Sequence, residues 1–395
     1  MNKLIVEVIE QADVIERLRP EWQALYRDAD AAPFLAWEWL SAWQQWLNGA
    51  RSPYLLCARA GGRLVGLLAL GVETVPVWGL PTPLRKLSLL GAGFGGADYL
   101  DVLALPAFAA DVADAFFEHL ERVARFDLFE LDGLAADSPT LTRLAQRFEQ
   151  TGNLRYRVEP RYTCPQIKLH GDWPALHKQS KRGDNFKRRL RQARNYNGFA
   201  YRSITQPAEV DAALERFLAL HEPRWAEQGG SDFSGHDALR AFHHDLVQRL
   251  AQAGLLRFEE LWLEGNCVAS IYGLDDGKQF CYYNSGYDLA WKHASPGLVL
   301  LGLSIEAACG RGLKLYDFLR GDEGYKFDWA NSTRATLHVT LARRTAATLL
   351  LQARQQAWQR FRDLAKMALP APVAATLRNW LRLTRRQQSL AVSNT

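Results

Sequence analysis

Within ten positions the sequence places Asp317, Arg320, Asp322, Glu323, Tyr325 and Lys326. Carboxylates that can take a proton, a phenol that can give one and fixed cations are the groups a proton-coupled transfer uses. Asp317 or Glu323 is the candidate proton acceptor, Tyr325 the candidate donor, and Lys326 and Arg320 the candidate contacts for an acidic group. An equally available reading makes Asp317, Arg320 and Glu323 an ion-pair network that holds a loop. A second constellation lies upstream. Ser295-Pro296-Gly297 opens an apolar run, and no acidic residue occurs between Lys292 and Ile305. Serine before a helix and proline at its first position are start signals, and the N–H groups left unpaired there favour an anion. Lys292, Ser295, Pro296, Gly297 and Leu298 are therefore the candidate seat for a pyrophosphate or carboxylate.

These groups must be carried by a strand ending near Ser285, a loop, a helix to about Cys309 and a parallel strand from Leu313 to Leu319. Lys292-His293-Ala294-Ser295-Pro296-Gly297 resembles the Gln/Arg-x-x-Gly-x-Gly/Ala pyrophosphate loop of GNAT-fold acyltransferases, with lysine first and serine for the first glycine. The wider pattern, Ser-Pro-Gly before an apolar helix and then Tyr-Asp-Phe-Leu-Arg-Gly-Asp-Glu-x-Tyr-Lys-x-x-Trp, is similar to the acetyltransferase family named for the cellulose-biosynthesis protein CelD. That family is related to the Fem peptidyltransferases, which carry two GNAT modules in one chain. The resemblance spans Pro33 to Ala342. It implies an α/β fold of two tandem GNAT modules and transfer of an acyl group from acetyl-CoA or another acyl-CoA to an amine of a sugar, lipid-linked precursor or peptide. The setting it suggests is exopolysaccharide or cell-envelope biosynthesis. Tyr325 would then protonate the leaving thiolate, and positioning supplies most of the rate gain without a covalent intermediate. Two rivals stand: a Fem-like transferase using aminoacyl-tRNA, and a non-catalytic scaffold of a polysaccharide-export complex.

Composition narrows the classes. The 395 residues, 48% hydrophobic, suffice for two ordinary domains. No apolar run is long enough to span a membrane, and the first residues carry acids, so a cytoplasmic protein is expected. Five scattered cysteines form no Cys-x-x-Cys pair, which predicts reduced packing residues and no metal site. The net charge of +5 is a property of the tail: the chain from Arg343 carries +9 and the rest −4. Gly-x-Ser-x-Gly, Walker A and His-Glu-x-x-His patterns do not occur.

The expected divisions are 1–155, a degenerate N-terminal module on the substrate side; 156–345, the acyl-donor module; and 346–395, a basic helical tail. In the first, Phe34, Trp37, Trp39, Trp43 and Trp46 read as core or as a ligand-stacking cluster. Strands are expected at Tyr54–Ala60, Arg63–Val72 and Tyr99–Leu105, with Val75–Gly96 a loop. Tyr99–Leu105, the helix Ala109–Ala124 and the strand Asp127–Leu131 repeat the strand, helix, strand order, but Asp111 at that helix start would repel phosphate, so only the second copy keeps an anion seat. Asp172 should cap a short helix. The segment Lys178–Arg194, with Arg188 and Arg191, is a solvated basic face, a grip on an anionic substrate or adenosine 3′-phosphate, or more weakly a nucleic-acid contact. Leu220-His221-Glu222-Pro223-Arg224-Trp225 matches the family's histidine-x-x-Arg-Trp element, with His221 a general base or a structural histidine and Arg224 and Trp225 on the substrate. Strands Arg257–Leu263, Cys267–Leu274 and Gln279–Ser285 form a meander. The tail's basic amphipathic helices, split by Pro370-Ala371-Pro372, pack on the protein or contact a membrane peripherally.

Overall fold

The computed structural model describes residues 4–77, 83–123, 125–148, 154–226 and 236–351, with a few further positions to 360. The first half contains β1 (Ile5–Ile9), α1 (Ala12–Arg17), α2 (Arg19–Asp28), α3 (Trp37–Trp46), β2 (Ser52–Ala60), β3 (Arg63–Val75), β4 (Leu84–Leu89), β5 (Leu103–Ala104), α4 (Ala109–Arg122), β6 (Leu128–Ala135) and α5 (Pro139–Phe148). The second begins with β7 (Leu154–Lys168), α6 (Trp173–Gln179), α7 (Gly183–Ala193), β8 (Ala200–Ile204), α8 (Val210–Ala226) and α9 (Asp237–Gln252). It continues with β9 (Leu256–Leu263), β10 (Asn266–Asp275), β11 (Gln279–Tyr287), α10 (Pro296–Gly310), β12 (Leu315–Asp317), α11 (Gly324–Trp329) and β13 (Ser332–Arg343).

One continuous sheet joins the halves in the order β1-β2-β3-β4-β6-β13-β7-β12-β11-β10-β9-β8, with β5 on the edge of β3. Each half is an antiparallel meander followed by a helix and a strand parallel to the last of the meander: β4, α4, β6 in one, β11, α10, β12 in the other. The closing strands are exchanged. β13, the last strand, pairs with β6, and β7, from the middle of the chain, pairs with β12, while the two also pair with each other.

The duplication is thus present, but its first copy uses β4 and not the expected strand at Tyr99–Leu105. Only Leu103 and Ala104 extend there, antiparallel to β3. The region expected as loop supplies β4 because Leu84, Leu87 and Leu89 alternate with or flank polar residues and are buried. Asp111 lies in the first turn of α4 without capping it. The β9-β10-β11 meander, the Gly61-Gly62 hairpin turn, the α10 span and the Asp172 cap, which accepts from the Ala175 N–H at 3.1 Å, follow the sequence.

Two apolar clusters hold the layers. Phe34, Trp37, Trp39 and Trp43 are core, and α3 packs on α9 across the halves. Trp39 meets Phe34, Tyr283 and Phe242 edge-on at 4.7, 5.4 and 5.7 Å, while Trp46 is exposed and donates to Asp245 at 2.8 Å. All five cysteines are free thiols. The tail helices lie outside the described residues except for a helical start at 346–351.

Candidate functional site

β11 and β12 pair only from Gln279 to Cys281 against Leu315 to Asp317. Beyond that β11 runs on to Tyr287 while the segment after β12 turns at Leu319, whose φ of 57° lies in the left-handed region. The strands pair no further, and between β10, β11 and the first turns of α10 lies a cavity of about 260 Å³ lined by Arg182, Ser270, Tyr282, Ser285, Gly297 and Tyr325 among others. The first turn of α10 forms one wall. Gly297 leaves room there, since a Cβ would sit 3.4 Å from the Tyr287 ring.

The entry to α10 differs from expectation. Ser295 is itself left-handed, φ 54° and ψ 50°, and its hydroxyl does not cap the helix. Its backbone carbonyl takes the N–H groups of Leu298 and Val299 at 3.1 and 3.2 Å, so part of the expected donor set is turned inward. The preceding turn, Leu289–Ala294, is capped by Asp288 and pinned by Arg189, which donates to the His293 carbonyl at 3.0 Å. Pro296 is buried and Lys292 is exposed.

Tyr325 faces Tyr282 with hydroxyls 3.4 Å apart, and Tyr282 donates to the Ser285 hydroxyl at 2.5 Å. This hydroxyl row shares the cavity with Gly297. It is the chief feature that residue-by-residue reading missed: Tyr282 and Ser285 sit on one strand and Tyr325 on a helix some forty positions on, so only the fold joins them. His221 lies behind the row. It is 3% exposed, stacks on Phe217 at 5.1 Å and shares a hydrogen bond with the Ser285 carbonyl through Nδ1 at 3.0 Å.

Asp317, Arg320, Glu323 and Lys326 turn away from the cavity, toward the seam between the halves, and Asp322 is exposed. Asp317, 1% exposed, accepts from the Leu319 N–H at 2.7 Å, Gln166 at 2.6 Å and the Tyr99 hydroxyl at 3.3 Å. Burial raises its pKa from 3.8 to about 6, against those three hydrogen bonds. Arg320 lies 2.8 Å from the buried Asp98 carboxylate and donates to the Ala97 carbonyl. Burial likewise raises the Asp98 pKa, with Arg320 opposing. Lys326 is 5% exposed, pairs with Glu323 at 3.0 Å and donates to the Arg320 carbonyl at 2.9 Å. The expected network of Asp317, Arg320 and Glu323 does not form: Arg320 pairs with Asp98 and Glu323 with Lys326, while Asp317 is held by neutral donors and joins no ion pair among the described residues. These contacts leave Asp317, Arg320, Glu323 and Lys326 outside the cavity lining.

Arg182 reaches the cavity and pairs with Asp328 at 2.6 Å. Arg188 and Arg191 lie on the exposed face of α7 with Lys187 and Arg194, and Arg188 donates to Asn185 at 2.8 Å. That helix rests on α10, the Phe186 ring lying directly on Gly302. The side chains of Arg224 and Trp225 lie outside the described residues. Among the described residues no group of three His, Cys, Asp or Glu is placed to hold a metal, and no helix is long and apolar enough to cross a membrane.

An antiparallel meander, a helix and a strand parallel to the last of the meander, repeated in two fused copies, make a tandem-GNAT α/β fold. Residues 180–327 match the family model of an acetyltransferase (GNAT) domain. Among solved structures the chain is similar to FemX, at 10% identity over 85% of this chain and 96% of that one, TM-score 0.56. It is also similar to a conserved protein of unknown function from Bacteroides thetaiotaomicron VPI-5482, at 12% identity over 86% and 100%, TM-score 0.51. A third likeness is to the C-terminal domain (DUF2156) from Agrobacterium fabrum that carries the name lysylphosphatidylglycerol synthetase, at 8% identity over 87% and 96%, TM-score 0.53. At such identities these likenesses speak for the fold alone. No curated protein matches the sequence.

Proposed function

We propose that the protein is an N-acyltransferase that moves an acyl group, acetyl in the simplest case, from coenzyme A to an amine of a sugar, lipid-linked precursor or peptide. The observation that carries this reading is the parting of β11 from β12 beside Gly297 and Tyr325. The cavity residues fit such a donor. Gly297 lets a chain pass close to the first turn of α10, whose dipole favours phosphate, and Leu298, Leu300 and Leu301 give an apolar wall for an aliphatic arm. The thioester, when bound, supplies an activated carbonyl. Tyr325 gives its proton to the departing sulfur and takes back the one that the attacking nitrogen loses as the amide forms, and Tyr282 and Ser285 keep that hydroxyl oriented. The amine must arrive unprotonated, because Asp317 and Glu323 are engaged in the seam and the fold's contribution is placement. The test is thiol release from acetyl-CoA over a panel of amino sugars and peptides, compared between wild type and Tyr325→Phe.

A second reading, an aminoacyl-tRNA donor, draws on the exposed cations of α7 beside the cavity mouth. Raising of the melting temperature by coenzyme A supports the first reading; stabilisation by tRNA alone supports the second.

A further inference from the structure

A second and larger cavity, of about 460 Å³, lies at the far end of α10. The 15 residues of that helix put its ends roughly 21 Å apart, so this space is separate from the one beside Gly297. Its walls come from the β8–α8 connection at Gln206 and Pro207, the end of α9 at Ala251, the start of β9 at Arg257, and Arg311 just past α10.

The charged groups here are organised. Asp275, at the end of β10, accepts on one oxygen from Arg257 Nε at 2.9 Å and from Arg311 Nη2 at 3.0 Å, and on the other from the Gly277 N–H at 3.0 Å. Both of its oxygens are committed, and the carboxylate works as a bracket that sets two guanidiniums side by side. Behind Arg311 stands Glu259, wholly buried. Its Oε2 accepts from Ser203 at 2.5 Å, and its Oε1 lies 3.6 Å from Arg311 Nη1 without a hydrogen bond. Burial raises the Glu259 pKa, which weakens the opposing charge further. The carbonyl ends of α9 and α10 meet here and by themselves repel anions; two arginines reverse that sign locally. Of the remaining lining, Thr205 and Gln206 are polar, and Pro207, Ala251, Leu256 and Leu313 give an apolar wall.

We infer that this cavity is a binding site for a small monocarboxylate with a short aliphatic body, held through the N–H edges of Arg257 and Arg311 and packed against Pro207 and Ala251. The two oxygens of a carboxylate suit the paired guanidiniums, which an amine does not. The apolar wall distinguishes the ligand from a bare inorganic ion.

Butyrate is the probe, titrated calorimetrically into the full chain at fixed ionic strength, with butylammonium and inorganic phosphate as controls. The expected result is saturable butyrate binding by wild type and by Gly297→Asp, weakened at least about tenfold in Ala251→Leu, which fills the cavity without touching the ion pairs, and in Arg311→Met. If Arg311→Met fails to fold, Ala251→Leu carries the test alone. Absent saturation with butyrate, equal binding by Ala251→Leu, or tighter binding of phosphate overturns the assignment.

Discussion

Tyr325 and Lys326 are neighbours in sequence with opposite fates. The phenol turns into the cavity beside Gly297; the ammonium is buried in the seam against Glu323 and the Arg320 carbonyl. Tyr325→Phe should therefore lower kcat by roughly a hundredfold with KM nearly unchanged, measured as steady-state thiol release, because one positioned proton donor is worth about that much. Lys326→Ala should act on stability instead. Glu323 is partly exposed and solvent screens it, so a loss of about 1–2 kcal/mol in urea denaturation is expected. Asp317 gives a pH signature. Its pKa of about 6 exceeds the ordinary 3.8, so the folded state holds this proton more tightly than the unfolded chain. That contribution favours the fold below about pH 4 and is lost as pH rises through about 6. Asp98, also raised, acts with the same sign. The stability difference between wild type and Asp317→Asn should thus shift against wild type between about pH 4 and 6, and a difference independent of pH refutes the seam role.

At the scale of elements, α10 is what the site depends on. It lies on the sheet on one side and carries α7 on the other, where Phe186 occupies the space a Cβ at Gly302 would need, at 2.2 Å. Gly302→Ala should cost about 1–3 kcal/mol by overpacking and should shift the basic face of α7 relative to the cavity mouth, checked by chemical denaturation and by coenzyme A affinity. Much of this level was legible in the sequence. Ser-Pro-Gly marked the start of α10, and the three-strand meander before it announced itself by β-forming runs between Glu264-Gly265-Asn266 and Asp275-Asp276-Gly277. What escaped has physical reasons. β4 is hidden among prolines and glycines, and its burial comes from neighbours far along the chain. β7 begins as an alternation of arginines, tyrosines and glutamates that resembles solvated surface. Ser295 adopts a left-handed backbone that a serine–proline pair does not advertise. The hydroxyl row and the bracketed arginines depend on contacts between elements, which spacing along one chain does not encode.

For the whole molecule, the exchange of β7 and β13 is decisive. Each half closes on a strand that the other half flanks, and Asp98 with Arg320 and Tyr99 with Asp317 fasten the same seam. A division at 155 and 156 falls at the start of β7, so a fragment 156–345 exposes the β13 edge that β6 covers. Expressed alone, 156–345 should be insoluble or partly unfolded, and co-expression with 1–155 should recover it; a well-dispersed NMR spectrum from the isolated fragment contradicts this. The central claim is that the parted strands beside Gly297 seat a coenzyme A thioester. Calorimetric titration of the full chain with coenzyme A tests it most directly. One saturable site is expected, weakened about tenfold or more by Gly297→Asp, which sets a negative charge at the helix start, and retained in Tyr325→Phe. A titration without heat or saturation by a folded protein, or an affinity indifferent to Gly297→Asp, contradicts it.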